Sequence, residues 1–330
     1  MNKLFLGITV IILSYLTTYI LVPFTNRLGK KFGFIDKPDF RKINNNKLSR
    51  LGGLAILSGF IAGLLILKNY YQPNSSVDIP IIVIIITSIL VFAVGLVDDK
   101  DNISPWPRLG CQFLISSIAW TQGLRISSIN LSFLTIDFFY IDFPIFLSFL
   151  ITIVWITGLI NAFNWLDGLD GLAIGIALIA SIGFGLISFQ CEDYESFFIS
   201  LSIIGFCLAF LNFNFYPSKI LMGDCGSYFI GYNLALLSLM SCSSENMIIE
   251  DKFSLGSFNL FLGLTFLFIP IIDMTYVIFS RLLEGESPFF PDKRHLHHKL
   301  LNLGFTHRNS VILIYIAATF FSIFGYQVFR

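Results

Sequence analysis

Long apolar runs dominate this sequence and constrain its fold more than any other feature. Most of them are long enough, at about 1.5 Å per helical residue, to cross a hydrocarbon core of roughly 30 Å. We therefore predict an all-α polytopic membrane protein with about ten transmembrane helices. The apolar runs occupy residues 4–24, 52–67, 80–97, 109–121, 144–160, 172–189, 197–212, 228–241, 258–280 and 309–328.

Composition excludes an ordinary soluble protein. Of the 330 residues, 55% are hydrophobic and only 13% are charged, whereas charged residues make up about 25% of a typical soluble domain. The net charge is zero, which argues against a basic nucleic-acid-binding protein. No linker or repeat divides the chain, so residues 1–330 are predicted to form a single integral membrane domain.

The distribution of basic residues predicts the orientation. Loops that follow the odd-numbered runs carry 16 of the 21 Lys and Arg residues, so the positive-inside rule places these loops in the cytoplasm and both termini outside. Residues 125–143 alternate apolar and polar side chains, which predicts a short hairpin on the periplasmic side. The same cytoplasmic loops contain all four histidines. Chemistry is therefore expected at the cytoplasmic face, in a site formed by these loops.

Four polar clusters lie in the predicted cytoplasmic loops. Taken singly, each could be a helix cap, a turn or an interfacial patch. Their coincidence on one face of the membrane favours a shared site instead. The clusters are VDDKDN (97–102), DGLDG (167–171), GDCGS (223–227) and RHLHH (294–298).

Phosphoryl transfer is the chemistry that these residue types support. Mg²⁺ prefers oxygen ligands and usually takes only one or two of them from the protein. Asp224 suits this role because Gly223 and Gly226 let backbone and phosphate approach closely. Asn164 offers a neutral second oxygen, and Arg108 is suited to clamp an anion.

The stretch NAFNWLDGLDGLA places Asn161, Asn164 and Asp167 three residues apart. On a helix this spacing forms a slanted row, which could line one side of a cleft. The stretch is therefore interpreted as a binding surface for a nucleotide and a metal ion. Asp98 and Asp99 are adjacent and point in different directions on a helix, which predicts different roles for them.

Four segments together resemble the signatures of the polyprenyl-phosphate N-acetylhexosamine-1-phosphate transferases, in the family's order and spacing. They are GLVDDKDNISPWPRLGCQ, NAFNWLDGLDGLA, ILMGDCGS and SPFFPDKRHLHHKLLNLG. The resemblance implies an enzyme of ten or eleven helices in the bacterial inner membrane. Such an enzyme moves a sugar 1-phosphate from a UDP-sugar to undecaprenyl phosphate, releases UMP and starts a lipid-linked surface glycan. It also implies a requirement for Mg²⁺, for which Mn²⁺ could substitute.

The resemblance also implies roles for single residues. Asp98 and Asp99 would be the acidic pair near the acceptor phosphate, and Asn164 and Asp224 would be metal ligands. The other implied site residues are Asn161, Asp167, Gly168 and Asp170 at the nucleotide and substrate, Arg108 at a phosphate, and His295, His297 and His298 at the diphosphate or sugar.

The donor sugar stays open between relatives of this family. DKRHLHH is similar to the branch that uses N-acetylglucosamine, whereas the branch that uses UDP-MurNAc-pentapeptide has three successive histidines. Asn44 and Ser49 depart from the N-acetylglucosamine pattern, in which a histidine and a proline stand at these places. The sequence also leaves open a monomer or a homodimer, and a single transfer step or a covalent aspartyl-phosphate intermediate.

Two other classes of protein share single features with this sequence. Asp273 lies well inside the ninth apolar run, as a charge in a transporter would, but the other polar groups lie at one face rather than near the midplane. Asp273 is instead expected to pair with a neighbouring helix or with Arg281. A zinc hydrolase is disfavoured because HLHH lacks the glutamate of HExxH.

Overall fold

The computed structural model describes residues 3–36, 48–70, 81–130, 140–241, 257–258, 260–289 and 292–329. These residues are mostly helical. The helices are α1 (Lys3–Phe32), α2 (Gly53–Tyr70), α3 (Ile81–Asp101), α4 (Pro105–Thr121), α5 (Ile145–Leu166), α6 (Leu172–Gln190), α7 (Tyr194–Asn214), α8 (Gly223–Met240), α9 (Leu260–Phe266), α10 (Phe268–Leu283), α11 (Leu296–Asn302) and α12 (His307–Phe329).

Six of the described helices are long and apolar enough to cross a membrane, namely α1, α3, α5, α6, α7 and α12. The prediction of an all-α membrane protein is thereby confirmed, but length and composition support six spans rather than ten. Three features explain much of the difference. Helix α4 has only 17 residues, α8 begins with the polar residues of GDCGS, and the ninth apolar run is divided at Leu267 into α9 and α10.

Helix α8 lies at the centre of the bundle, in contact with α3 and α5. Every residue of α8 except Asp224 is buried. Side-chain hydrogen bonds add to the packing, because Ser88 of α3 donates to Asn233 at 2.9 Å and the indole of Trp155 in α5 donates to Ser238 at 2.9 Å. Such bonds and close packing, rather than the hydrophobic effect, hold helices together in lipid.

Glycines allow the backbones of α2 and α3 to approach the start of α8. A Cβ atom at Gly53 would lie 2.6 Å from the backbone nitrogen of Gly226, and one at Gly95 would lie 2.5 Å from the Cα atom of Cys225. No larger residue fits at either place without moving the backbone. The starts of α2 and α8 and the end of α3 are therefore held together.

Backbone hydrogen bonds join the segments that precede α2 and α8. The amide of Leu221 donates to the carbonyl of Ser49 at 2.9 Å, and the amide of Gly52 donates to the carbonyl of Leu221 at 3.0 Å. Helices α3 and α5 end at this side of the bundle, where α4 and α6 begin. The four polar clusters that the sequence marked are thus at the same end of the bundle.

A small sheet lies at the other end, beyond the end of α4. Strand β1 (Ser128–Asn130) pairs antiparallel with β2 (Tyr140–Asp142) and parallel with β3 (Ser257–Phe258). The predicted hairpin covers β1 and β2, although residues 131–139 between them lie outside the described residues. The third strand was not predicted because two residues carry no recognisable alternation.

Candidate active site

The start of α8 is the centre of the candidate site. The two carboxylate oxygens of Asp99 accept hydrogen bonds from the backbone amides of Asp224 and Cys225, both at 2.9 Å. The first amides of a helix lack partners within the helix, and an acidic group stabilises this end. Gly223 permits the arrangement, since its φ of +74° is unfavourable for other residues. Asp99 therefore holds the end of α3 to the start of α8.

Arg50 lies between two carboxylates of the site. Its Nε atom is 3.2 Å from Asp99, and its Nη2 atom is 3.2 Å from Asp224. Burial alone would lower the pKa of Arg50, but the charges of Asp224 and Asp99 raise the pKa above its usual value. Arg50 therefore stays cationic. Arg50 was not predicted to be a site residue. Its position directly before Leu-Gly-Gly could have indicated this role.

Asn164 and Asp224 meet where the end of α5 reaches the start of α8. The amide nitrogen of Asn164 donates to Asp224 at 2.8 Å and to the hydroxyl of Ser227 at 3.2 Å. The side chain of Asp224 keeps 20% of its surface exposed. The structure thus brings together the two residues that the sequence marked as metal ligands and leaves the carboxylate accessible.

Asp98 belongs to a different network from its neighbour Asp99. Its Oδ2 atom accepts from Arg108 at 3.0 Å and from the hydroxyl of Tyr228 at 2.6 Å, while Oδ1 accepts from the amide of Ile103 at 2.9 Å. The two aspartates thus point in different directions, as predicted. Tyr228 was not predicted to be a site residue. Its position one turn into α8, directly after GDCGS, could have indicated this role.

The carboxylates outnumber the cations around the DGLDG segment. Asp167 is only partly accessible, and burial, followed by the charge of Asp224, raises its pKa well above the usual range. The charge of Arg50 opposes this shift without cancelling it. A divalent cation or another cationic partner would offset the surplus negative charge.

Asp170 anchors the DGLDG turn to neighbouring segments. Its Oδ2 atom accepts from the amide of Ser218 at 3.0 Å, and its own amide donates to Nε2 of His307 at 2.9 Å. His307 in turn stacks on the ring of Tyr216 with centroids 4.6 Å apart. Neither His307 nor Tyr216 was marked in the sequence, because each is a single residue outside the four clusters.

The predicted row of Asn161, Asn164 and Asp167 is not realised in full. Asn161 is only 5% exposed, and its amide nitrogen donates to Gln112 of α4 and to the carbonyl of Thr157, both at 2.8 Å. It lies one turn deeper than Asn164 and links α5 to α4. The structure does not bring Asn161 to the cleft, because α4 covers this side of α5.

The histidine segment packs against the DGLDG turn. A Cβ atom at Gly168 would overlap the Nε2 atom of His297, so a larger residue at this position would displace the ring. The rings of His295 and His297 are stacked, with centroids 5.6 Å apart and planes 10° apart. His298 lies next to His297, at a centroid distance of 4.3 Å. The predicted histidine cluster is therefore in contact with the predicted binding surface for the nucleotide.

The three histidines do not offer three positive charges. Burial, and then the neighbouring His298 and His295, lower the pKa of His297 to about 3. Burial followed by the charge of His295 also lowers the pKa of His298. His297 is therefore neutral near pH 7 and can act only as an uncharged hydrogen-bonding ring.

Asp273 pairs with His295 and Leu296 at the start of α11. Of its two expected partners, a neighbouring helix is confirmed and Arg281 is wrong. Its carboxylate accepts from Nδ1 of His295 at 2.8 Å and from the amide of Leu296 at 2.6 Å. Arg281 is eight residues further along α10, a rise of roughly 12 Å, which is too far for an ion pair. Arg281 instead bonds to Asp292 at 2.9 Å.

Of the two positions that depart from the N-acetylglucosamine pattern, the structure describes Ser49. Ser49 is fully buried, and its hydroxyl accepts from the amide of Leu51 at 3.2 Å. Asn44 lies outside the described residues. A direct contact between Ser49 and a sugar is therefore not provided by this geometry.

The donor set around Asp224 fits a hard divalent cation. Within the described part of the chain, no three His, Cys, Asp or Glu side chains are grouped so that they could hold a metal ion, which disfavours a closed site of the zinc type. Mg²⁺ needs only one or two protein oxygens, and Asp224 with Asn164 can supply them once the amide of Asn164 turns. The repulsion between Asp224 and Asp167, which helps to raise the pKa of Asp167, would also be relieved by a cation.

Comparison with known proteins gives matches over most of the chain. The sequence profile of glycosyl transferase family 4 matches residues 81–242, which include the ends of α3 and α5 and all of α8. The chain is 32% identical over 314 residues to a probable undecaprenyl-phosphate N-acetylglucosaminyl 1-phosphate transferase of Bacillus subtilis, with 94% of this chain and 82% of the relative covered. It is 32% identical over 325 residues to a decaprenyl-phosphate N-acetylglucosaminephosphotransferase of Mycolicibacterium smegmatis, with 94% and 78% covered. It is 29% identical over 324 residues to the undecaprenyl-phosphate alpha-N-acetylglucosaminyl 1-phosphate transferase of Escherichia coli, with 96% and 82% covered.

Proposed function

We propose a function for this chain from the premise that it belongs to glycosyl transferase family 4, the polyprenyl-phosphate N-acetylhexosamine-1-phosphate transferases. The chain transfers N-acetylglucosamine 1-phosphate from UDP-N-acetylglucosamine to undecaprenyl phosphate and releases UMP. The names of the relatives support both the sugar and the lipid acceptor. The observation that carries the proposal is that the Asp98–Arg108 pair and the Asp224–Asn164 pair both adjoin the start of α8.

The reaction joins two anions, so charge control is the main task of the site. A phosphate oxygen of the lipid attacks the phosphorus that carries the sugar. The bond from that phosphorus to the bridging oxygen breaks, and the electron pair leaves with UMP. A single transfer step is proposed, which needs no covalent intermediate on the protein.

Arg108 and Asp98 are assigned to the acceptor phosphate. Arg108 provides a guanidinium that can hold a phosphate in two hydrogen bonds. Asp98 orients Arg108 and accepts the proton of the acceptor phosphate. Asp99 is assigned a positioning role, because its side chain is fully buried and its oxygens bind the first amides of α8.

Asp224 and Asn164 are assigned to Mg²⁺, which Mn²⁺ could replace. Once bound, the ion would neutralise the diphosphate of the donor. Asp167, Gly168 and Asp170 are assigned to the nucleotide, since they lie in the turn beside these two residues. The histidine cluster of His295, His297 and His298 is assigned to the donor diphosphate or sugar.

The site is proposed to face the cytoplasm of a bacterial cell, in the inner membrane. The excess of Lys and Arg in the loops at this end supports that orientation. We also propose that α2, α4, α8 and the α9–α10 pair cross the bilayer, which gives ten crossings in one domain of 330 residues. The alternation of helix ends between the site and the small sheet supports this count.

The test is an assay of the purified protein in detergent with undecaprenyl phosphate, Mg²⁺ and a panel of UDP-sugars. We expect release of UMP that depends on the lipid, with UDP-N-acetylglucosamine as the best donor and a lipid product of the corresponding mass. UDP-MurNAc-pentapeptide belongs in the panel because it is the donor of the alternative branch. No lipid-dependent UMP release with any donor would overturn the proposal, and solute uptake into vesicles would then favour a transporter.

A further inference from the structure

Asp273 is a buried carboxylate for which the proposed reaction has no role. It lies in α10, only 5% of its surface is exposed, and burial of a charge is costly unless the charge is paired and hydrogen-bonded. Its Oδ2 atom is 2.8 Å from Nδ1 of His295, and its Oδ1 atom accepts the amide of Leu296 at 2.6 Å. The carboxylate thus binds one catalytic candidate and the first residue of α11.

This contact determines which nitrogen of His295 carries a proton. An ionised carboxylate only accepts hydrogen bonds, so Nδ1 must be the donor. The Nε2 atom is then the nitrogen that can take up a proton and meet an anion. Among the described residues, the side-chain hydrogen bond of His295 is made by Nδ1.

Neighbouring rings restrict His295 to one orientation. The ring stacks on His297 with planes 10° apart, and its other neighbour is Trp165, whose ring centroid is 5.8 Å away. His297 is itself packed against Gly168. Rotation of His295 would therefore disturb the contact with Asp273 and the stack on His297.

We propose that Asp273 is a positioning residue of the transfer reaction, which keeps the proton of His295 on Nδ1 and directs Nε2 to the diphosphate of the donor. The carboxylate also stabilises the imidazolium when Nε2 gains a proton, as carboxylates do beside histidines in other enzymes. The inference rests on the proposed function, because it requires that His295 contacts the donor.

The experiment measures kcat and KM for lipid-dependent UMP release by wild type, Asp273→Asn, His295→Gln and the double variant. Asp273→Asn keeps the shape but presents an amide that favours the opposite tautomer of His295. We expect kcat to fall roughly 10- to 100-fold, as for other partners of functional histidines, with KM for the UDP-sugar changed much less. Glu284→Gln is the matched control, since Glu284 is exposed and its ion pair with Arg294 lies at the surface, and it should retain wild-type kinetics.

The double variant separates positioning from a general structural role. If Asp273 acts through His295, the double variant should be no slower than His295→Gln within about twofold, because interacting residues are not additive. If the fold losses of kcat in the two single variants multiply in the double variant, the inference is overturned. His295→Asn provides a second test that preserves a partner for Asp273 but lacks Nε2. Full activity of His295→Asn would also overturn it.

Failure of the two proposals can be told apart. A wild-type protein without lipid-dependent UMP release would overturn the proposed function and this inference with it. An active wild type together with a fully active Asp273→Asn variant would overturn this inference alone.

Discussion

Asp99 accepts the backbone amide of Asp224 at 2.9 Å, although 125 positions separate the two residues in the chain. The bond ties the end of α3 to the first turn of α8. It therefore connects two of the clusters that the sequence marked separately, and it places the carboxylate of Asp224 where α5 also arrives.

Replacement of Asp99 by Asn should destabilise the protein. The amide would place an N–H₂ group against backbone donors and leave Arg50 with one fewer charged partner. Loss of a hydrogen bond to a charged group costs roughly 1.5 to 3 kcal/mol. Thermal unfolding in detergent should show a lower midpoint for Asp99→Asn than for Asp101→Asn, a control at an exposed position of the same helix end. Equal midpoints would argue against the capping role of Asp99.

Replacement of Asp224 by Asn should weaken the apparent affinity of the site for Mg²⁺. The change removes a full charge from a site with few other protein ligands, so the Mg²⁺ concentration for half-maximal UMP release should rise at least about tenfold. Asp170→Asn should leave the Mg²⁺ curve in place and raise KM for the UDP-sugar. The opposite pattern would make DGLDG the primary metal site.

Replacement of Gly168 by Ala should reduce turnover, because a Cβ atom there overlaps His297. The ring must move, and the histidine segment moves with it. Gly110→Ala in α4 is the matched control, since a Cβ atom there meets nothing within 4 Å and alanine favours a helix. We expect a loss of at least about tenfold in kcat for Gly168→Ala only. Comparable activity of both variants would show that the His297 contact is not needed.

Acidification should destabilise the fold through His297. Its pKa is lowered by burial, His298 and His295 to about 3, against a usual value near 6.5, so protonation favours the unfolded state. Stability from this residue is complete above about pH 6.5 and decreases as the pH falls towards 3, by roughly 2 kcal/mol at pH 5. The unfolding midpoint of wild type should therefore drop more between pH 7 and pH 5 than that of His297→Gln. Parallel pH curves would contradict this assignment.

Replacement of Asn161 by Leu should affect stability rather than substrate binding. The change leaves Gln112 without its buried partner, at a cost of roughly 1 to 3 kcal/mol. The Asn161→Leu, Gln112→Leu double variant removes both polar groups and should recover part of the lost stability. Unfolding midpoints and KM for the UDP-sugar measure the two effects. A large rise in KM with unchanged stability would return Asn161 to the substrate site.

The amino-acid pattern was sufficient for the class of protein and for the clusters that form the site. Long apolar runs require a membrane whatever their packing, and local spacing shows which polar residues share a loop. Asp98 and Asp99 are an example. Side chains at adjacent helical positions point in different directions in any fold, and the two aspartates do bind different partners.

Pairings between distant segments depended on packing, which local patterns do not encode. Arg50 lies at the site because glycines let α2 pack closely against α8. Asn161 was predicted at the site but lies outside it, because α4 covers that side of α5. Asp273 was expected to pair with a neighbouring helix or with Arg281. Its partners are His295 and Leu296 at the start of α11, because the segment after α10 folds back onto that helix. A side chain's spacing along its own helix is set by local geometry, but its partner is whichever segment the bundle brings within about 3 Å.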